Sequence, residues 1–258
     1  MRLDVYLVEK GYCESRNKAS RLISDGKILL DGKAVGKPSF DVCDGEHTVE
    51  ITENDRYVGR GGLKLEAALE RFSIEVKGKR CIDVGASTGG FTDCLLQKGA
   101  AHVCAVDSGR DQLHPKLLDD IRVTSIEGFN AKELNGERFG AFDVAVMDVS
   151  FISQTLLHQP LTSVLKDGAI YVSLIKPQFE AGKGALGKGG IVKKPADREA
   201  ALRRVLESAT LCGFETLGVM RSPIEGGDGN REFLAVFKKT GSEVSMPEKI
   251  DLKQLCKD

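Results

Sequence analysis

The sequence predicts an α/β protein in which a mainly parallel, seven-stranded sheet follows a small α+β domain. Strand-like and helix-like segments alternate over residues 63–240, which is the pattern of parallel strands joined by crossover helices. The preceding residues, 53–62, are polar and rich in glycine, as is typical of a linker. Short elements separated by glycines fill residues 1–52, and the polar residues 241–258 are predicted to form a tail or a short extra helix.

The composition limits the possible classes of function. Of the 258 residues, 41% are hydrophobic and 29% are charged, as expected for a soluble globular protein. The net charge of −1 gives no general attraction for nucleic acid, so any binding of nucleic acid has to rest on local basic patches. The seven cysteines are odd in number and lack C-x-x-C spacing. They argue against a disulfide framework or a zinc site, and no metal site is predicted.

Secretion and membrane insertion have no visible route in this sequence. No apolar stretch approaches the roughly 18–20 residues that span a bilayer. The N-terminal residues, beginning with Met1-Arg2-Leu3-Asp4, lack the apolar region of a signal peptide. We therefore expect a cytoplasmic protein without a membrane partner. The oligomeric state is not indicated by the sequence.

The first 52 residues combine a predicted helix with short strands. Residues 15–23 have helical spacing, with apolar residues on one face and basic residues on the other sides. Residues 27–30 are predicted as a strand that reverses at Asp31-Gly32, a strong hairpin signal, into a return strand over 33–35. Residues 47–51 alternate in polarity and form a further predicted strand.

Seven strands and three longer helices account for most of the larger region. The strands are predicted over 80–84, 101–106, 122–126, 142–147, 169–175, 214–221 and 231–238. The helices are predicted over 89–98, 154–165 and 196–212. Because the last two strands lie close together in the chain, we expect them to pair antiparallel at the edge of the sheet.

A glycine-rich loop joins the first of these strands to the first helix. It runs from Asp83 to Phe91, where glycines allow a tight turn and a close approach to a ligand. The next strand ends at Asp107, which suits a hydrogen bond to ribose hydroxyls. A dinucleotide is one alternative, although Ser87 replaces the second glycine of that fingerprint, and a plain strand-to-helix turn is another. The acidic Asp83 suits an amino group, such as that of S-adenosylmethionine.

Four charged residues stand at the ends of predicted elements, on the side of the sheet where a ligand would bind. Asp148 and Lys176 follow strands, Glu232 begins the last strand, and Lys64 opens the helix after the linker. Such a set can orient a hydroxyl group and remove its proton, provided that a lysine pKa falls from its ordinary value near 10. Taken singly, a charged residue at a strand end is more often a solvated surface group, and the sequence does not show that the four converge.

Seven short motifs carry a family resemblance over about residues 1–240. They are Arg2-Leu3-Asp4, Arg60-Gly61-Gly62-Leu63-Lys64-Leu65, Asp83 to Phe91, Met147-Asp148-Val149-Ser150-Phe151-Ile152, Ile175-Lys176-Pro177-Gln178-Phe179-Glu180, Gly189-Gly190-Ile191-Val192 and Asn230-Arg231-Glu232-Phe233. With these motifs the chain resembles the TlyA family of hemolysin-named proteins. The resemblance implies a Rossmann-like, S-adenosylmethionine-dependent methyltransferase domain of FtsJ type over 63–240, preceded by an S4-type RNA-binding domain over 1–52.

The resemblance also implies roles for individual residues. Lys64, Asp148, Lys176 and Glu232 would form a catalytic tetrad in which Lys176 is the base towards a ribose 2′-hydroxyl. Lys64 would position the target and keep the base neutral, while the two carboxylates orient the lysines. The implied contacts to S-adenosylmethionine come from Asp83, Gly85, Ser87, Gly89, Asp107, Glu127 and Asn130. The implied reaction is 2′-O-methylation of cytidine in ribosomal RNA, on the large subunit or on both subunits.

The prediction of RNA binding rests on the resemblance more than on charge. The candidate phosphate contacts are Arg16, Lys18, Arg21, Lys27 and Arg60. A solvated helix face is the alternative, because Glu14 and Asp25 lie in the same segment. No aromatic stacking platform is apparent, which favours recognition of folded RNA by its shape. The glycine- and lysine-rich loop over 181–194 is either a lid, an RNA-contacting loop or a plain connector.

Two other functions compete with methyl transfer. A cytolysin, as the name of the family suggests, needs an amphipathic or apolar membrane segment, and the sequence shows neither. A non-enzymatic ribosome-assembly factor could keep the same fold, although the intact set of four charged residues argues against it. The sequence therefore predicts an S-adenosylmethionine-dependent RNA methyltransferase whose partner is ribosomal RNA or a ribosomal subunit.

Overall fold

The computed structural model of the chain describes residues 1–24, 26–43, 45, 47–51, 56–226, 229–240, 244 and 250–257. These residues divide into two compact units, Met1–Arg56 and Tyr57–Asp258. The beginning of the predicted linker, 53–55, lies outside the described residues, and so does half of the predicted C-terminal tail.

The first unit consists of two helices and a small antiparallel sheet. Its elements are α1 (Leu3–Glu9), α2 (Arg16–Ser24), β1 (Ile28–Leu30), β2 (Lys33–Ala34) and β3 (Val49–Ile51). Strand β1 lies between β2 and β3. The predicted hairpin turn is present, since Asp31 and Gly32 have φ angles of 50° and 74°, as a type I′ turn requires. Helix α1 was not predicted, and Arg2 at its start makes no capping side-chain bond that would signal it.

The second unit contains a seven-stranded sheet, as predicted. Its strands are β4 (Arg80–Val84), β5 (His102–Val106), β6 (Val123–Ile126), β7 (Phe142–Met147), β8 (Leu165–Ile175), β9 (Phe214–Arg221) and β10 (Phe233–Lys239). Their order across the sheet is β6-β5-β4-β7-β8-β10-β9. Strands β4 to β8 pair in parallel, and β10 pairs antiparallel with β8 and β9. The predicted fold class is confirmed.

Helices connect these strands and cover both faces of the sheet. The α-helices are α3 (Gly61–Arg71), α4 (Gly90–Gln97), α5 (Pro115–Leu118), α6 (Gly136–Phe139), α7 (His158–Ser163), α8 (Pro177–Glu180), α9 (Pro195–Leu211) and α10 (Leu252–Leu255), with short 3-10 helices at Ala131–Glu133, Gln154–Leu156, Lys183–Ala185 and Lys188–Gly190. Successive strand residues point to opposite faces. Cys81 thus packs in the core that contains α3 and α4, and Ile82 in the core that contains α9.

The helix predicted over 154–165 is shorter in the structure, where only its middle part is α-helical. The structure has a 3-10 turn at Gln154–Leu156, and α7 covers only His158–Ser163 before β8 begins at Leu165. Pro160 supplies the physical reason. Proline has no N–H and its ring clashes with the carbonyl four residues earlier, so it is tolerated in the first turn of α7 but not inside a helix that began at 154.

Residues 57–62, predicted as the end of a linker, belong to the second unit. Tyr57 is buried, and the N–H of Val58 donates to Asp93 Oδ2 at 2.9 Å. Helix α3 already includes Gly62, where a Cβ atom would lie 2.3 Å from the Tyr57 ring. Gly62 therefore serves close packing against this ring rather than flexibility.

The described end of the predicted tail packs onto the second unit. Leu252 and Cys256 are buried in its core. The guanidinium of Arg198, on α9, donates to the carbonyl of Cys256 at 2.7 and 3.3 Å, which satisfies a backbone acceptor at the end of α10. Among the residues that the structure describes, no helix has both the length and the apolar character needed to cross a membrane.

Candidate functional site

Strand register brings three predicted site residues to one edge of the sheet. Phe233 of β10 pairs with Ile175 of β8, so the residues just outside that pair, Glu232 and Lys176, lie next to each other. Val84 of β4 pairs with Met147 of β7, and Asp148 follows Met147. The carboxyl ends of the parallel strands are where open α/β sheets bind ligands.

Lys176 is held by two groups on the loop after β7. Its Nζ atom lies 2.6 Å from Asp148 Oδ1 and donates to Ser150 Oγ at 2.8 Å. The backbone N–H of Asp148 donates to the carbonyl of Val84 at 3.0 Å, which fixes the start of this loop against β4. The amine of Lys176 therefore has a defined position at the sheet edge and is only partly buried.

Lys64 and Glu232 form a second ion pair. Lys64 Nζ lies 2.5 Å from Glu232 Oε2, and both side chains are buried, at 7% and 4% exposure. Gly61, one helical turn before Lys64, lies close enough to Asp148 that a Cβ atom there would be 3.8 Å from Oδ2. The structure thus brings the four predicted residues together as two neighbouring, mutually neutralising pairs.

The glycine-rich loop turns sharply between β4 and α4. Gly85 has φ of 86°, and a Cβ atom there would lie 2.5 Å from the carbonyl of Asp148. Gly89 has φ of 95°, and a Cβ atom there would lie 2.1 Å from Leu117. Both positions therefore require glycine. Ser87 also has positive φ, 49°, and its N–H donates to Asp107 Oδ2 at 2.8 Å.

Asp83 is completely buried beneath this loop. Thr92 Oγ1 donates to its Oδ2 at 2.7 Å, while Oδ1 has no hydrogen-bond partner among the described residues. Burial raises the pKa of this carboxyl to about 7, against the opposing effect of the Thr92 bond. A buried acceptor without a donor is unusual, and it fits a ligand amine or a water.

A cavity of about 450 Å³ opens between the glycine loop and the loop after β7. Its polar lining includes Gly85, Ser87, Asp107, Gln112, Asn130, Asp148 and Ser150, and its apolar lining includes Val106, Phe129, Phe151, Ile152 and Leu157. The volume lies in the range of small-molecule sites. A polar side beside an apolar wall suits a nucleoside, with its hydroxyls on one side and its flat base on the other.

Three predicted cofactor residues lie outside the lining of this cavity. Asp83 is buried and Gly89 packs against α5, as described above. The carboxylate of Glu127 accepts the N–H groups of Asp111, Gln112 and Leu113 at 2.6, 3.0 and 3.1 Å, and these bonds lower its pKa. Glu127 thereby holds the loop that carries Gln112 to the cavity.

Two residues of the site were missed in the sequence. Ser150 Oγ accepts a hydrogen bond from the Lys176 amine. Its position two residues after Asp148 was the sequence feature that could have indicated this role. Phe151 is 92% exposed with φ of 64°, and its ring centroid lies 5.1 Å from that of Phe179. Positive φ at a bulky residue marks local strain, and no sequence pattern signals it.

The predicted RNA contacts lie in both units. In the first unit, Arg16 pairs with the buried Asp4 at 3.0 Å and Lys18 pairs with Glu14 at 3.6 Å. Arg21 and Lys27 are partly exposed at the end of α2 and before β1. In the second unit, Arg60 is exposed and lines a cavity of about 190 Å³ together with Lys176, Asp148 and Ser150.

Two family models match the chain. The model of FtsJ-like methyltransferases matches residues 57–239, and the S4 domain model matches residues 1–47. The chain belongs to the FtsJ-like methyltransferase family. The resemblance inferred from the seven motifs is thereby confirmed.

Relatives cover nearly the whole chain. Hemolysin A of Brachyspira hyodysenteriae is 45% identical over 92% of this chain and 99% of its own length. The 16S/23S rRNA (cytidine-2′-O)-methyltransferase TlyA of Mycobacterium tuberculosis is 43% identical over 90% of this chain and 87% of its own length. Both named proteins thus resemble this FtsJ-like chain across both of its units.

Solved structures agree in fold. A hemolysin-named protein from Streptococcus thermophilus superposes with a TM-score of 0.80 at 41% identity, over 99% of this chain and 94% of the other. An S-adenosylmethionine-dependent methyltransferase from Mesorhizobium loti matches with a TM-score of 0.52 at 17% identity, over 70% of this chain and 100% of the other. The second unit therefore has the fold of S-adenosylmethionine-dependent methyltransferases.

Proposed function

We propose that this protein is an S-adenosylmethionine-dependent 2′-O-methyltransferase of ribosomal RNA, with cytidine ribose as its target. The observation that carries the proposal is the Lys176 amine, held by Asp148 and Ser150 at the edge of a nucleoside-sized cavity. The relatives named for ribosomal RNA methylation support the choice of substrate, and ribosomal RNA as a target implies a cytoplasmic protein.

The residues of the large cavity fit S-adenosylmethionine. Asp107 accepts N–H groups of Ser87 and Gly109 at 2.8 and 2.7 Å, and its remaining lone pairs suit ribose hydroxyls. Val106 and Phe129 form an apolar wall for the adenine, and the free Oδ1 of Asp83 suits the amine directly or through a water. When bound, S-adenosylmethionine supplies a methyl group on a positively charged sulfur.

Lys176 is the proposed general base. In its neutral form, its Nζ would accept the proton of the ribose 2′-hydroxyl and so make the hydroxyl oxygen a nucleophile. S-adenosylmethionine would supply the methyl group, and its sulfur would leave as the neutral thioether of S-adenosylhomocysteine. Asp148 Oδ1 and Ser150 Oγ orient the amine, and the resulting ammonium remains beside the Asp148 carboxylate, which stabilises its charge. The buried pair of Lys64 and Glu232 orients the target from the side of α3 and β10.

The RNA is proposed to be held by basic residues of both units. Arg16, Lys18, Arg21 and Lys27 supply phosphate contacts from the S4 domain and Arg60 supplies one beside the cavity. Two of these, Arg16 and Lys18, already pair with carboxylates, so we expect modest individual contributions. The loop over 181–194 is proposed to act as a lid over the site or as a further contact to the RNA.

Methyl incorporation into ribosomal subunits tests the proposed function. Purified protein is incubated with radiolabelled S-adenosylmethionine and subunits that lack the modification, and the modified nucleotide is mapped by mass spectrometry. Lys176→Ala should reduce incorporation by roughly 100-fold or more, the size expected for loss of a general base. Lys79→Ala is the matched control, because this exposed lysine precedes β4 at the opposite edge of the sheet. Full activity in Lys176→Ala would contradict the assigned base.

The competing functions predict different outcomes. Ribosome binding without any incorporation would favour a non-enzymatic assembly factor. Lysis of red cells by pure protein without a cofactor would favour the cytolysin suggested by the name of the streptococcal relative.

A further inference from the structure

A buried carboxylate next to the site takes no part in the proposed reaction. Glu180 ends α8 and is 3% exposed. Its Oε1 accepts the backbone N–H of Gln154 at 2.9 Å, and its Oε2 accepts the hydroxyl of Ser153 at 2.5 Å. Burial raises the pKa of this carboxyl, whereas Ser153, Gln154 and Arg204 act in the opposite direction. Burying a carboxylate is unfavourable unless its oxygens are satisfied, and here both are.

Gln154 extends this connection into the sheet. It is 1% exposed, its Nε2 donates to the carbonyl of Leu174 at 3.2 Å, and its Oε1 accepts the hydroxyl of Ser173. Both acceptor and donor belong to β8, the strand that leads directly to Lys176. The loop after β7 is therefore joined at its far end to β8 and to α8.

The same loop carries the two partners of Lys176. Asp148 and Ser150 lie at its beginning, and Ser153 lies at its end. Between them, Phe151 is held at a φ of 64°, a conformation that persists only when the surroundings impose it. Lys176 itself immediately precedes α8, and Glu180 closes that short helix. Glu180 thus bridges the segment that bears the amine and the loop that bears its acceptors.

We propose that Glu180 is a positioning residue that clamps the loop of Asp148 and Ser150 to the helix following Lys176. The proposal rests on the assignment of Lys176 as the base. An ionised carboxylate presents an acceptor to both donors at once, whereas an amide presents an acceptor on one atom and N–H donors on the other. Glutamine at this position therefore keeps the size of the side chain but replaces two charge-assisted hydrogen bonds with neutral ones, and the Ser153 hydroxyl has to turn from donor to acceptor.

The test compares Glu180→Gln with the wild-type protein in the full chain. We expect kcat to fall by roughly tenfold or more, because a small misplacement of a reacting group is costly in rate. The affinity for S-adenosylhomocysteine should fall much less than kcat, because the glycine loop, Asp107 and Phe129 line the cavity independently of the clamped loop. Hydrogen exchange of residues 149–156, measured by mass spectrometry, should rise.

Two further variants sharpen the test. Ser153→Ala removes one of the two donors and should give a smaller loss of kcat in the same direction. Glu199→Gln is the matched control, because Glu199 is partly exposed on α9 and pairs with Arg203 at 3.1 Å. It should leave kcat, affinity and hydrogen exchange unchanged.

Several outcomes overturn the proposal. The proposal fails if the Glu180→Gln variant folds and keeps the kcat of the wild-type protein. It also fails if kcat, cofactor affinity and thermal stability fall together, because that pattern marks a general structural defect. If the wild-type protein transfers no methyl group, the proposed function fails. The clamp is then judged by hydrogen exchange alone, and it is refuted if the exchange of residues 149–156 is the same in the variant and in the wild-type protein. If Glu180→Gln does not fold, Ser153→Ala decides by the same readouts.

Discussion

Replacing Lys64 with methionine removes the positive member of a buried ion pair and keeps an unbranched side chain of similar length. Lys64 and Glu232 are 7% and 4% exposed, and their charged atoms lie 2.5 Å apart. The variant leaves the Glu232 carboxylate buried without its counter-charge, which costs about 3–5 kcal/mol of unfolding free energy. For a unit of this size, that loss corresponds to a fall of roughly 6–20 °C in melting temperature.

A double variant separates the charge from the packing. In Lys64→Met/Glu232→Leu, apolar side chains of similar volume replace the pair and leave no buried charge, so most of the lost stability should return. Methyl transfer should remain abolished in both variants, because the double variant restores packing but not the groups that orient the target.

Urea denaturation followed by circular dichroism measures the free energies, and the melting temperature gives a second reading. Lys79→Met serves as the control for loss of a surface lysine. The reasoning is refuted if Lys64→Met costs less than about 1 kcal/mol, the value typical of an exposed pair. It is also refuted if the double variant is no more stable than the single one.

Two further predictions concern the glycine loop and the S4 domain. Gly85→Ala places a Cβ atom 2.5 Å from the Asp148 carbonyl at a φ of 86°. We expect a loss of about 1–3 kcal/mol in stability and weaker S-adenosylhomocysteine binding by calorimetry. The control Gly36→Ala, with open space around it, should change neither. Asp4 hydrogen-bonds Arg2 and Arg16, and mainly the Arg2 bond lowers its pKa from 3.8 to about 2. Because the folded-state pKa is lowered, the contribution of Asp4 to stability is present above pH 4 and is lost as the pH falls towards 2. Asp4→Asn should flatten that loss in hydrogen exchange of the first unit, and an unchanged pH dependence would contradict the assignment.

Most strands could be predicted because local sequence decides them. The predicted strands 80–84 and 142–147 coincide with β4 and β7, since strands buried on both faces are nearly continuous apolar runs. The helix predicted over 154–165 is too long because Pro160 excludes an α-helix that begins at 154. The first part of β8, at Leu165, is recruited by pairing with Phe142, which is a tertiary effect.

The candidate site could likewise be predicted only in part from the sequence. Glycines after β4 and charged residues at strand ends were visible in the sequence because close turns and ligand contacts demand those residue types. The role of Glu127 was not visible in the sequence, because its carboxylate accepts hydrogen bonds from the N–H groups of a loop that comes earlier in the chain. The buried clamp of Glu180 was likewise invisible, since its partners lie on a different loop.

The sequence by itself determined the α/β class, the two-part organisation and the residue types that cluster at the ends of the strands. Only the tertiary structure decided which of those residues meet. Insertion of β10 beside β8 brings Glu232 next to Lys176, and closure of the loop after β7 brings Asp148 and Ser150 to the Lys176 amine. The physical reason is that periodicity reports the faces of single elements, whereas ion pairs at 2.5–2.6 Å depend on strand order and loop closure over long separations in the chain.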